Sequence, residues 1–313
     1  MQKTVSLISA GLLALLLSSC AWFSVKPEKM SISGDKYVVI GDKGWVSASS
    51  RGESWESVVF PAESAAFNQV VQADERLVAV GLNGVIAYST NASEWLRAND
   101  NSHHVWLYDL AYTDKKYVAV GMGGTILFSK NLMEWQWQVV PVHSWLSTVS
   151  YGNDQFIAAG ADGVIMTSVD GHKWSQESSP TSNWISQVAF LNGRYVAVGS
   201  QGLIMISADS HHWESLPPIN HKWLYTVAYG NNGYLAGGED GILLTSVDGL
   251  KWQTVETGLP KDSIHRIIFV GDKFWLVGNN GLLAYSIDGR AWWPVDSGTR
   301  SNLHSIIYYD LQQ

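Results

Sequence analysis

Short apolar runs follow one another along this chain, each closed off by Gly, Asn or Asp, and no stretch carries a helical period of useful length. Residues 223–255 show the pattern: LYTVAY, GYLAG, ILLTS and KWQTV, separated by GNN, GEDG and VDG. Aromatic and β-branched runs bounded in this way predict strands joined by hairpins. One of these runs always precedes a Gly-x-x-Gly turn: YVVIG, LVAVG, YVAVG, FIAAG, YVAVG, YLAGG and FWLVG. Their near-continuous apolar character suits strands buried on both faces.

The turns recur at Gly41/Gly44, Gly81/Gly84, Gly121/Gly124, Gly160/Gly163, Gly199/Gly202, Gly238/Gly241 and Gly278/Gly281, a period of 39 or 40 residues. Four of them contain Asn-Gly or Asp-Gly, which favour tight hairpins because both central residues tolerate positive φ. Fourteen residues after each first glycine stands a tryptophan: Trp55, Trp95, Trp135, Trp174, Trp213, Trp252 and Trp292. A repeat of this length marks units that bury their apolar faces against their neighbours. The predicted architecture is all-β, a seven-bladed propeller of four-stranded antiparallel blades over residues 36–313. The first repeat offers only a stunted opening strand at Met30–Ser33, whereas Asn302–Asp310 reads like the first strand of the other repeats. The ring is therefore expected to close through the C-terminal strand, leaving no free sheet edge; closure by Met30–Ser33 is the rival.

Between the third and fourth strands the best copies read Ser-x-Asp-Gly-x-x-Trp, with serine in all seven repeats at 49, 89, 129, 168, 207, 246 and 286. Asp170, Asp209, Asp248 and Asp288 are replaced by Arg51, Asn91 and Asn131 in the first three. An Asp or Asn side chain accepts backbone N–H bonds across such a turn, and the tryptophan caps the hairpin. This motif, over roughly residues 36–310, resembles the BNR or Asp-box repeat of propellers that include sialidases, sortilin-type receptors and photosystem II assembly factors, with a turn one residue shorter. The resemblance implies that these aspartates are structural and face away from the functional surface.

Residues 1–19 hold one basic residue, Lys3, and the apolar run Val5–Leu17, ahead of the chain's single cysteine, Cys20. A basic start before a short apolar core reads as a signal peptide, too short for a permanent span. The segment resembles a bacterial lipoprotein signal, which implies lipidation of Cys20, with residues 20–35 as a tether. Ala21 follows, with no adjacent Asp, and the same resemblance implies an outer-membrane address. With no other cysteine, the propeller must hold by burial and closure alone.

The net charge is −8, and the basic residues form no cluster, so nucleic-acid binding has no electrostatic support. In such a propeller the Gly-x-x-Gly turns and the inter-blade connections share one face, where ligands commonly bind. Those connections carry Trp106, Trp145, Trp184 and Trp223, on four consecutive blades; Ala66, Ser263 and Asn302 stand at the equivalent positions elsewhere. His104, His143 and His221 lie two residues before three of these tryptophans. Facing the axis, they would form an aromatic crescent suited to peptide, protein or sugar recognition; as wedges between blades they would be structural. Asp162, Gln201, Glu239 and Asp240, within the turns, complete the expected contact surface. Histidines on separate blades are poorly placed to converge on a metal, so neither metal nor cofactor is expected. The arginine triad and acid residues that a sialidase-like site needs do not assemble from Arg51, Arg76, Arg97, Arg194, Arg266, Arg290 and Arg300. Only Arg97 and Arg300 are read in connections, and Arg266 lies inside a first strand. The expected function is a monomeric, lipid-anchored, non-catalytic envelope platform binding a protein or glycan. The alternative is a carbohydrate-binding or glycosidase-like propeller.

Overall fold

A computed structural model of the protein describes residues 36–59, 66–98, 105–231 and 233–309. The signal segment, Cys20, the tether with Met30–Ser33, and His104 lie outside the described residues. Seven four-stranded antiparallel sheets follow one another around a ring; six are built from consecutive strands, and one joins the last strand of the chain to the first three. Blade 6 illustrates the unit: Leu224–Gly230 innermost, then Gly233–Gly238, Leu243–Ser246 and Gln253–Thr254. The run KWQTV thus yields a much shorter outer strand than its composition suggests. Trp252 leaves the sheet and is only 8% exposed beneath the hairpin.

In blade 1 the innermost strand is Leu303–Tyr309, paired antiparallel to Lys36–Gly41 with Lys36 opposite Tyr309 and Ile40 opposite Ser305. The C-terminal strand closes the ring, as its likeness to the other first strands predicts.

The core is seven wedges, one between each pair of adjacent blades. Alternate residues of each second strand serve opposite wedges: Val38 and Ile40 pack with Phe67, Leu77 and Trp95 of blade 2, while Tyr37 and Val39 pack with Trp275, Val277 and Leu283 of blade 7. A strand buried on both faces needs side chains of both parities apolar, hence the unbroken runs.

Each Gly-x-x-Gly turn ends in two left-handed residues, such as Asn83 (φ 57°) before Gly84 (φ 67°) and Asn280 (φ 54°) before Gly281 (φ 75°), the central pair of a hairpin closed by the N–H of the next residue. That is the geometry of a type I′ turn. The first glycine answers a different demand. A Cβ on Gly160 would lie 1.9 Å from the Trp145 carbonyl oxygen, and one on Gly41 would lie 2.2 Å from that of Asn302. The next residue uses this approach: Ala161 N–H donates to Trp145 O at 2.8 Å and Asp42 N–H to Asn302 O at 3.0 Å, with counterparts in all seven blades. The turn and the entry to the innermost strand are thereby locked together on one face.

The opposite face carries the serine–aspartate hairpins. Asp170 Oδ1 accepts from His172 N–H and Lys173 N–H, both at 2.8 Å, and Ser168 Oγ accepts from Gly171 N–H. Trp174 Nε1 donates to Gly171 O. These backbone donors hold the Asp170, Asp248 and Asp288 carboxyls below the usual range. Blade 1 has Arg51 in place of the acceptor, and there the Trp55 indole N–H is buried without a partner.

Candidate functional site

The locked turn places the residue before each innermost strand at the mouth of the ring. Trp106, Trp145, Trp184 and Trp223 form an unbroken arc across blades 3 to 6, with successive ring centroids 6.5, 5.8 and 5.9 Å apart. Tyr108 stacks on Trp145 at 5.9 Å. Trp106 and Trp145 remain 40% and 37% exposed, and Trp184 and Trp223 are partly buried. The tryptophans therefore touch one another across the blade boundaries while leaving part of each ring open to solvent. A shallow pocket of about 470 Å³ sits on the arc, walled by His143, Ser144, Trp145, Ala161, Asp162 and Trp184.

The remaining sequence-predicted residues are placed less uniformly. His143, His221, Gln201 and Asp240 are exposed on the rim. Asp162 accepts from Ser144 Oγ at 2.7 Å, and Asp240 pairs with Lys222 Nζ at 3.1 Å. Glu239 is partly buried, its carboxylate accepting from Trp223 N–H at 3.0 Å, so it ties the turn to the entry of the innermost strand. Arg97, read as part of a connection, belongs to the outer strand Leu96–Arg97. Among the described residues, no group of three or more His, Cys, Asp or Glu side chains is placed to hold a metal ion.

Three features escape the sequence reading. The first is a β-bulge at the same place in every innermost strand, two residues after the mouth position. Its residues are Asn68, Tyr108, Ser147, Ser186, Tyr225, His265 and His304. A bulge re-aims its side chain and frees the backbone N–H groups beside it.

The second is a polar girdle formed by the next residue of each strand. Ser305 Oγ donates to Gln69 Oε1, and Gln69 Nε2 donates to Asp109 Oδ1 at 2.7 Å. Asp109 Oδ2 accepts from Thr148 Oγ1 and Val149 N–H. Thr148, Gln187 and Thr226 each accept a backbone N–H of the following blade, from Val188, Val227 and Ile267. Burial raises the Asp109 carboxyl, opposed by the Arg266 charge and these donors. The signal was legible: a polar residue stands twelve positions before the first glycine of the pair in blades 2 to 7, and Ser305 holds the matching place in the C-terminal strand.

The third lies where the girdle meets the closing seam. His304 Nε2 donates to Asp42 Oδ1 at 2.8 Å, and Asn302 Nδ2 donates to Asp42 Oδ2 at 3.0 Å. His265 stacks parallel on His304 at 5.0 Å and donates from Nδ1 to Leu303 O. The hydrogen bond from His304 is the chief cause holding the Asp42 carboxyl below its ordinary range. Burial, with the neighbouring His304 charge, pushes His265 down to about 4. Among the described residues, His265 and His304 are the histidines in ring contact with each other.

No protein-family profile matches the chain, and no curated protein matches it significantly by sequence. Solved structures share the fold. YCF48 bound to D1 peptide superposes with a TM-score of 0.66 at 15% identity, covering 80% of this chain and 87% of that one. YCF48 from Cyanidioschyzon merolae gives 0.65 at 13% identity, over 82% and 98%. Virginiamycin B lyase from Staphylococcus aureus gives 0.68 at 13% identity, over 77% and 90%. A binding protein and an enzyme thus stand side by side, and at these identities the likeness is one of fold.

Proposed function

We propose that the propeller is a binding platform that holds an extended segment of a partner protein on the tryptophan arc, and that it acts at the bacterial cell envelope, lipid-anchored through Cys20. The observation that carries the binding reading is the arc itself: four tryptophans in mutual contact on consecutive blades, each retaining open ring surface. A soluble protein gains nothing in stability by leaving indole faces in water, whereas aromatic anchors with a polar handle dominate protein recognition. The YCF48 structure with a bound D1 peptide gives a propeller of this fold a peptide partner. The envelope reading rests on the Lys3-to-Cys20 signal pattern.

The same indole faces could stack sugar rings, so the test must separate the two. Crosslinking capture from detergent-solubilised envelopes compares wild type with a Trp106/Trp145/Trp184/Trp223→Ala variant whose fold is checked by circular dichroism. The expected result is a protein retained by wild type and lost by the folded variant. Capture of a glycan instead would favour the carbohydrate alternative, and identical capture by both proteins would place the contact surface elsewhere. Labelled palmitate entering wild type but not Cys20→Ala tests the anchor separately.

A further inference from the structure

At six of the seven girdle positions the residue is Gln, Asp, Thr or Ser, all able to accept a hydrogen bond. Blade 7 carries Arg266, which cannot. Between blades 7 and 1 the girdle's pattern therefore breaks, and among the described residues the Arg266 guanidinium makes no hydrogen bond or ion pair. The nearest compensating charge is Asp109, whose field opposes the effect of burial on Arg266. Asp109 has nothing left to offer as an acceptor. Its two oxygens already take Gln69 Nε2, Leu110 N–H, Thr148 Oγ1 and Val149 N–H, about the full capacity of a carboxylate. Arg266 stays partly exposed although it lies on an innermost strand, so that exposure is to the axial space. It sits three residues in from the mouth, about 10 Å at ~3.3 Å per residue.

The Arg266 donors are not sealed from solvent, and the ring's own hydrogen bonds do not use them. A guanidinium with five free donors in a fork matches a planar carboxylate in two parallel bonds.

We propose that Arg266 anchors an axial site for a carboxylate, presented by the ligand that the tryptophan arc holds. The proposal rests on the platform reading for its source of carboxylate but not for its chemistry. A bound carboxylate supplies the acceptors that Asp109 has already spent.

The test uses the folded propeller and sodium acetate as probe, against chloride and phosphate at matched ionic strength and pH 7, read by thermal unfolding and by line broadening of labelled acetate. Acetate is expected to raise the wild-type midpoint above that in chloride and to broaden, with both responses abolished in Arg266→Gln and weakened in Arg266→Lys. Arg266→Gln is also expected to be no less stable than wild type in chloride. An equal acetate response in Arg266→Gln, or none in wild type, overturns the proposal. So does a larger response to phosphate than to acetate. If Arg266→Gln does not fold, an undiminished response in Arg266→Lys overturns it. The four-tryptophan variant keeps its acetate response even if the platform reading fails, which separates the two.

Discussion

On blades 3 to 6 the residue that enters the innermost strand is tryptophan; on blades 7, 1 and 2 it is Ser263, Asn302 and Ala66. The backbone beneath is common to both halves of the mouth. Trp145 O and Asn302 O accept the corresponding N–H, and Gly160 and Gly41 admit the same close approach. The side chains diverge. In the tryptophan half, the polar side-chain pairs on the rim join residues 18 apart in sequence, as Ser144 with Asp162 and Lys222 with Asp240, and the indoles touch across blade boundaries while staying partly open. In the seam half, small entry residues make room for polar contacts that tie the C-terminal strand to the first turn: Asp42 with Asn302 and His304. One frame therefore serves two purposes, an open aromatic surface where the chain is continuous and a polar clasp where its ends meet.

Removing the clasp's strand is expected to have the largest effect. Deletion of residues 301–313 takes away Leu303, Ile306 and Tyr309, all 2% exposed or less, and strips blade 1 of its innermost strand. The ring should lose its single cooperative unfolding transition, because each wedge depends on two intact neighbours. An unchanged melting temperature would show that the seam does not close the ring.

The next effect asks whether the frame is truly common. Gly160→Ala in the tryptophan half and Gly41→Ala in the seam half each drive a Cβ onto a carbonyl oxygen and disturb the hydrogen bond beside it. Each should cost about 3 kcal/mol, overpacking plus a weakened bond. Urea unfolding measures both. A seam variant that is tolerated while Gly160→Ala is not would break the comparison at its base.

What the sequence made legible follows the same division. The glycine pairs, the apolar second strands and the hairpin tryptophans are demands of the repeated backbone, so they recur in register and announce the fold, closure included. The clasp is not repeated. Asp42 and His304 are separated by 262 residues and occur once, so no periodic signal pairs them, whereas His104, His143 and His221 share a spacing and stand out for that reason. The girdle is the intermediate case. Gln69, Asp109, Thr148, Gln187, Thr226, Arg266 and Ser305 do recur in register, but they differ in type, and a search for one residue class passes over them. The bulge left no mark at all, since an extra residue in a strand changes the register without changing the composition.

A smaller effect, confined to the seam, separates the halves by charge. His265 takes a proton near the usual 6.5 when the chain is unfolded but only at about 4 when folded, because it is buried beside His304. Between those values the unfolded state binds more protons, so stability falls as the pH drops from about 6.5 to about 4, by about 2–3 kcal/mol in all. Asp42 acts in the same direction at lower pH: its lowered carboxyl stabilises the fold above the ordinary carboxylate range, and that contribution is lost as the pH falls through its folded value. The groups facing His265 are His304 on the closing strand, Asp42 on the first turn and Tyr225 on blade 6. His265→Gln keeps a donor for Leu303 O without an ionisable ring, so urea midpoints at pH 7 and pH 4.5 should lie closer together than in wild type. Trp145→Ala, in the other half, should leave that interval as it is. An interval unchanged in His265→Gln, or narrowed equally by Trp145→Ala, would mean that acid sensitivity is spread around the ring and not held at the seam.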